Sequence, residues 1–537
     1  MHILTVALAT AVIFGAAYFV YGRFLTRHLG ADDARATPAR TVNDGVDFVP
    51  TRVSVLLPQH FSAIAAAGPI VGPILAGIWF GWLPALLWII LGNILIGAVH
   101  DFSTLMISVR HQARSIAEVV KEEMGQRAYA LFLIFIWISL MYVIVAFTDL
   151  TAATFVAQDV GGGVATSSLL YLLLSVFLGW MLTRWHLPEQ ATMGIALLLL
   201  MVIIWGGQKI PIHLPEFLGL PPSKGWGVLI LLYCLLASLL PMWMLLQPRG
   251  ALGGYFLYAA LLVGFVGLLF GGYPVEYPAF IGFQNPKGAP LFPILFITVA
   301  CGACSGFHGL VCSGTSSKQL EKEGDAHPVG YGGMLLEGLV AVVALATVMM
   351  LAPGDPALAR GPVEIYANGL ARFAHVLGVP MDVAVSFGLL TFATFVYDTL
   401  DVSTRLGRYI FQEIVGWQGA TGRRLGGIAT VTLPLVCLLT TGEGAYLTFW
   451  PLFGASNQLL AGLSLLGVSV WLKRTGRNPL YTLAPMCFIL VMTLWSLGRF
   501  VLQGGINAAI STLLIGITVF LLFTAARVPT PVQRERL

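Results

Sequence analysis

Asp101 stands nine residues before Arg110 in an otherwise apolar run. If that run is a helix rising about 1.5 Å per residue, the carboxyl sits about 13 Å inside the basic end. An ionised aspartate in hydrocarbon costs about 2.5 to 3.5 kcal/mol on insertion scales, so it needs a partner, a proton or a water-filled cavity. Two readings fit: coupling to a proton or substrate, or a hydrogen-bond anchor between helices. His100 is adjacent but points elsewhere on the helical wheel. Glu337 lies about 10 Å inside its own apolar run by the same rise, a second buried acid that is either functional or a partner for a neighbouring polar helix. His308 is the one group of its segment able to titrate near neutral pH.

The segment Cys301-Gly302-Ala303-Cys304-Ser305-Gly306-Phe307-His308 puts Cys301, Cys304, His308 and Cys312 on one face of a continuous helix. They would spread over about 16 Å, whereas zinc ligands lie about 2.0 to 2.3 Å from one ion, so no metal is expected. Small residues there let helices approach closely. The following Ser313-Gly314-Thr315-Ser316-Ser317 run could offer hydroxyls and freed carbonyls to sodium or a carboxylate, or simply end a helix. Asp398, Asp401, Arg405 and Arg408 recur at i, i+3, i+7 and i+10, with Asp401 and Arg405 spaced for an intrahelical pair. They form a self-satisfied ionic stripe at a cytoplasmic mouth or a gate that opens and closes. In Trp450-Pro451-Leu452-Phe453-Gly454-Ala455-Ser456-Asn457-Gln458, a proline and two amides interrupt an apolar run, and a packing role is expected there.

These residues must be held in membrane helices. Hydrophobic residues make up 57% of the chain, charged residues 10%, and mean hydropathy is +0.85, whereas soluble domains carry about 25% charge. The net charge of +4 is small and lacks a dense Lys/Arg run, which excludes nucleic-acid binding. Six cysteines fall within or beside apolar stretches, so no disulfide-stapled outer domain is indicated. There is no Walker sequence for ATP drive, and no cofactor or metal is implied.

Fifteen spans are expected, beginning near Ile3, His60, Leu83, Tyr129, Ser168, Ala191, Trp226, Ala251, Pro290, Gly330, Asp382, Leu425, Tyr446, Leu480 and Ala508. Met1-His2 lacks the basic start of a cleaved signal, so the first span is retained with its N-terminus outside. The outer loops then hold only Lys209, Lys224, Lys287, Arg360, Arg372 and Arg499 of the 29 Lys and Arg, as the positive-inside rule requires, and the C-terminus is cytoplasmic.

Two spans are broken by Gly/Pro clusters. Gly68-Pro69-Ile70-Val71-Gly72-Pro73 interrupts the second, and Pro241 to Gln247-Pro248-Arg249-Gly250 the seventh. Hydrocarbon tolerates freed backbone only where it lines a cavity or packs on protein, so breaks of opposite orientation suggest a substrate site between inverted repeats. The expected organisation is a first helix and cytoplasmic loop over 1–59, a five-helix repeat over 60–225, its inverted partner over 226–410, and accessory helices over 411–537. Backbone at Gly68, Pro69, Gly72 and Pro73, and the half-helix end at Gln247, would meet a substrate carboxylate or amine.

Gly68 to Pro73, Gly97-Ala98-Val99-His100-Asp101-Phe102, Ala300 to His308 with Ser313-Gly314-Thr315, Asp398 to Arg408, and Trp450 to Gln458 together resemble the carbon starvation protein A family. The likeness covers most of the chain. It implies an all-α, LeuT-like five-plus-five core related to the amino acid-polyamine-organocation superfamily. It also implies a bacterial inner-membrane carrier of short peptides or pyruvate, used when carbon is scarce. In that fold the ninth span would take the place of the eighth core helix, which strengthens Ser305 for substrate and His308 and Thr315 for coupling. The chain departs from longer members in its short C-terminal end, and Cys304 and Cys312 match no family role.

The reading is therefore a secondary symporter in the lipid bilayer, driven by H+ with Na+ as the alternative ion, with His60, Asp101, His308 and Thr315 in coupling and Asp398, Asp401 and Arg405 in a gate. The rival classes are a membrane-embedded metabolite sensor and a channel.

Overall fold

Helices account for nearly all of the computed structural model, which describes residues 1–45, 48–185, 189–216, 219–240, 244–417, 419–442 and 444–527. Among the described residues the only β pairing is three isolated bridges. That follows from the medium: in lipid each backbone N–H and C=O must find a partner within its own segment.

The chain enters through α1 (Ile3–Ala17), a π-turn, and α2 (Arg23–Leu29), followed by the short α3 (Pro38–Val42). Next come α4 (Val53–Ile64) and α5 (Gly68–Phe80), α6 (Trp82–Gly92) running through a π-turn into α7 (Ala98–Arg110), and the amphipathic α8 (Ile116–Met124). Long helices follow: α9 (Gln126–Phe155), α10 (Gly161–Trp185), α11 (Glu189–Gly207), α12 (Pro222–Leu239) and α13 (Leu246–Gly271). The remainder is α14 (Leu291–Thr298), α15 (Gly306–Gly314), α16 (Gly333–Met349), α17 (Pro362–His375), α18 (Met381–Val415), α19 (Gly419–Thr440), α20 (Ala445–Arg474), α21 (Leu480–Gln503) and α22 (Gly505–Ala526).

Each of the fifteen expected spans falls on helix. By length and apolarity, 12 continuous helical stretches among the described residues can cross a membrane, or 13 when α4 and α5 are joined; α11 is a shorter apolar helix, and α14 and α15 are short half-helices. The centre is formed by α9, α16, α18 and α20, whose apolar stretches are mostly enclosed, while α1, α21 and α22 lie at the rim. α9 packs on both α18 and α20, α4 on α13, α5 on α16, and α15 on α7 and α20.

The first break is where the sequence puts it. α4 and α5 meet at a 48° bend, with Ala65 leaving helical geometry (φ −76°, ψ 83°) and the Gly68-Pro69 pair starting α5. The second is not. The Gly/Pro cluster at 241–250 separates two full-length helices, α12 and α13, rather than interrupting one span; Pro241 itself lies outside the described residues. The second interrupted span is the ninth, where the chain leaves helical geometry at Val299 (φ −100°, ψ 53°) and resumes it after Ser305. This span is thus a broken helix, not a continuous one, and the four residues Cys301, Cys304, His308 and Cys312 do not share one helix face. Glycine alone does not decide where a helix opens: the freed groups need partners, and the 299–305 segment has them.

Candidate functional site

The two broken helices press against each other at their interruptions. A Cβ on Gly68 would overlap the Cys301 side chain, and one on Gly72 would strike the Thr298 carbonyl and come within 3.2 Å of Val299 Cα. A Cβ on Gly302 would stand 3.0 Å from the Ala341 side chain and 3.4 Å from Pro69 Cα. Glycine at these points is what lets backbone meet backbone. Gly68, Pro69, Gly72 and Pro73 therefore pack along the seam, with Ser305 at its far end.

Side chains from two other elements satisfy the unwound segment. Trp88 Nε1 donates to the Val299 carbonyl (3.1 Å) and Asn93 Nδ2 to that of Gly302 (3.3 Å). From α20, Gln458 Nε2 donates to the Phe296 carbonyl (2.6 Å), while the Asn457 amide accepts from Phe307 N (2.9 Å) and donates to Ser305 Oγ (3.0 Å) and Cys301 Sγ (3.2 Å). Buried backbone polar groups require such partners. The amides of the Trp450–Gln458 run are thus a clamp on the second break.

A chain of acids and imidazoles lies at the start of α15. His308 Nδ1 is 2.9 Å from Asp101 Oδ2, and Asp101 Oδ1 is 2.7 Å from Nδ1 of His100. The expectation that His100 faces away from Asp101 is corrected: the ring folds back along α7 onto its neighbour. Glu337 Oε2 of α16 approaches His308 Nε2 at 3.1 Å, but off the ring N–H direction, so this is an ionic contact without a hydrogen bond. All four side chains are fully buried. Asp101 thus accepts from two ring N–H groups, and His308 bridges two carboxyls supplied by α7 and α16. The number of protons shared by Asp101, His308 and Glu337 fixes the charge of the cluster.

A second network joins α4, α12, α13 and α18. Arg249 Nε donates to Asp398 Oδ1 (2.6 Å) and its Nη1 to Asp401 Oδ2 (2.5 Å). Ser62 Oγ donates to Asp398 Oδ2 (2.5 Å), Tyr233 OH to Asp401 Oδ2 (2.8 Å), and Tyr171 OH to the Arg249 carbonyl (3.1 Å). The self-contained Asp401–Arg405 pair expected on α18 does not form. Asp401 turns to Arg249, and Arg405 donates to the Ala237 and Leu240 carbonyls (2.9 and 2.7 Å), capping the end of α12. Arg249, Ser62 and Tyr233 were not legible as members of this cluster, because nothing in the spacing along α18 points to another helix.

Between the networks lies a chamber of about 30 Å³ lined by His60, Thr315, Ser316, Asp398, Leu246 and Gly250 among others. Nδ1 of His60 is 2.7 Å from Ser316 Oγ. Thr315 Oγ1 donates back to the Val311 carbonyl at 2.9 Å. Gln247 is half-buried in the first turn of α13 beside the chamber. Of the residues singled out for coupling, Asp101 and His308 are in direct contact, while His60 and Thr315 share the chamber with Asp398.

The whole chain can be compared with known proteins. The relatives include "Peptide transporter CstA" of Helicobacter pylori, 33% identical over 92% of this chain and 82% of the relative. The Escherichia coli protein of the same name is 32% identical over 92% and 80%, and "Pyruvate/proton symporter BtsT" of Escherichia coli 31% identical over 92% and 81%. Among solved structures, the Eremococcus coleocola manganese transporter in complex with an aromatic bis-isothiourea substituted compound superposes with a TM-score of 0.53 at 13% identity, over 91% of this chain and 99% of that one, a likeness of fold. A family profile described as "Carbon starvation protein CstA" matches residues 2–359 and 355–496. With its fold, its interrupted helices and these relatives in view, the chain belongs to the carbon starvation protein CstA family.

Proposed function

We propose that this protein is a proton-coupled symporter that brings pyruvate or short peptides across the bacterial inner membrane. The observation that carries the reading is the Asp101–His308–Glu337 chain set against the second interrupted helix, where a proton on one carboxyl alters the charge beside the seam. The names of the relatives support both substrates and the driving ion. The protein acts as a carrier rather than an enzyme.

The same proposal redraws the repeats. The first comprises α4/α5, α6–α7, α9, α12 and α13, with α10 and α11 as an inserted hairpin, and the second comprises α14/α15, α16, α18, α19 and α20. Packing supports this: α5 on α16 is mirrored by α15 on α7, α4 on α13 by α14 on α20, and α9 on α12 by α18 on α19. The amphipathic helices α8 and α17 each fall between the second and third members of a repeat. The broken spans are then seven apart, and an odd separation still inverts them. Gly68 to Pro73 and Ser305 would present backbone and hydroxyl to the substrate when the seam parts, with Gln247 at the edge of the chamber and Asp398 and Asp401 in the gate.

Uptake into proteoliposomes tests the reading. Asp101→Asn should leave a folded protein that no longer accumulates labelled pyruvate or dipeptide in response to an inward proton gradient. Undiminished pH-driven accumulation by this variant would reject the coupling role.

A further inference from the structure

Arg249 is held in the manner of an inorganic cation. Its guanidinium is completely enclosed, with one oxygen from each of two carboxylates at 2.6 and 2.5 Å and the Tyr233 hydroxyl beside them. Ser62, three residues before the bend at Ala65, fixes the other oxygen of Asp398 at 2.5 Å. The shell is built from hard oxygen donors on α12 and α18, with Ser62 of α4 bracing Asp398 from behind, and oxygen is the ligand type that alkali and alkaline-earth ions take. Arg249 alone comes from α13, reaching in from that helix's first turn.

The formal charges do not cancel. Asp398 and Asp401 carry two negative charges against one positive, and Oδ1 of Asp401 and Nη2 of Arg249 are buried without hydrogen-bond partners. Removing one partner from a buried ion pair leaves an uncompensated charge, which is strongly destabilising. Without Arg249, two enclosed carboxylates and a converging hydroxyl would remain around a space one positive charge had filled.

We propose that Arg249 is a tethered cation occupying an oxygen-lined site for a monovalent cation between the first broken helix and α18, so that no sodium ion is required there. The consequence for transport, sodium independence, rests on the symporter reading, whereas the site itself does not.

The test is thermal unfolding of the purified full-length protein in choline, sodium or dilute guanidinium chloride at equal ionic strength. Wild type and Arg249→Lys, which keep the charge, should unfold at the same temperature in all three salts. Arg249→Ala should unfold several degrees lower in choline and be raised by sodium or guanidinium in a saturable way, the free ion replacing the tethered one. Arg249→Met combined with Asp398→Asn and Asp401→Asn should show no cation response. An Arg249→Ala variant insensitive to both ions, or a wild type stabilised by sodium, would overturn the assignment. Should Arg249→Ala fail to accumulate in cells, recovery of the neutral triple variant supports the assignment, and loss of both overturns it. Uptake is measured separately: sodium-dependent uptake by wild type counts against the tethered cation, while absence of any uptake with the cation-dependent stabilisation intact rejects the symporter reading alone.

Discussion

Glu337 has neither carboxyl oxygen hydrogen-bonded, yet one of them lies 3.1 Å from a ring nitrogen of His308. Asp101, by contrast, has both oxygens engaged. The free geometry of Glu337 suits it to gain and lose a proton with little rearrangement, while Asp101 anchors His308. Glu337→Gln, which keeps shape and removes the charge, should therefore retain substrate exchange at equilibrium while losing accumulation against a gradient; counterflow and gradient-driven uptake in the same vesicles distinguish these. Asp101 and His308 were legible because a titratable group in an apolar run is costly wherever it points. Arg249 was not, since its place beside a Gly/Pro cluster made it one more basic residue at a helix end. The i, i+4 spacing of Asp401 and Arg405 pointed to a local pair worth about 0.2–0.5 kcal/mol, and a buried guanidinium from another helix outcompetes that.

At the scale of elements, the second break shows why proline and glycine density is an incomplete guide. The 299–305 segment has one glycine, Gly302, yet it opens because Asn457 and Gln458, some 150 residues away, meet its freed groups. Asn457→Ala should lower stability by about 1–3 kcal/mol, the cost of leaving the Phe307 N–H and its neighbours unpaired, read as a lower unfolding midpoint. The first break was legible because Gly68-Pro69 both begins α5 and abuts its partner. A second element, the α7–α8 corner, couples to pH outside the membrane. Burial disfavours the charge on His111, but the carboxylate of Glu123 and the Ile107 carbonyl outweigh this and hold its pKa above the ordinary histidine value of 6.5. Burial likewise opposes the charge on Glu123, and His111 and Arg474 overcome it, holding the carboxyl below 4.5. A raised histidine contributes stability that is complete below 6.5 and lost as pH rises through its folded value. A lowered glutamate contributes stability that is complete above 4.5 and lost as pH falls. Both contributions are full between about pH 4.5 and 6.5, so His111→Ala should cost most stability in that window and progressively less in alkaline buffer, as unfolding midpoints across pH will show.

For the molecule as a whole, hydropathy and the impossibility of open strands in lipid made the helical class legible, and each expected span lies on helix. The internal order was not legible, because an inserted hairpin such as the one proposed for α10–α11 would shift the count between the two broken spans without altering hydropathy. The proposed orientation rests on charge: the loops assigned to the outside hold six of the 29 Lys and Arg. A fluorescent protein fused after the C-terminus should therefore mature in the cytoplasm, and an alkaline phosphatase fusion at the same point should be inactive. The reverse pattern would invert the proposed topology.

The closed chamber has a bioenergetic meaning. At about 30 Å³ it has room for one or two waters, against the roughly 300 Å³ or more of a ligand pocket. In this shape the seam between the broken helices is backbone against backbone. A cavity of that size is far too short to hold a file of water across a bilayer, and a membrane crowded with idle copies is expected to keep its proton-motive force. Conductance belongs to the moving protein: without substrate, reconstituted vesicles should hold an imposed pH difference as long as empty ones do.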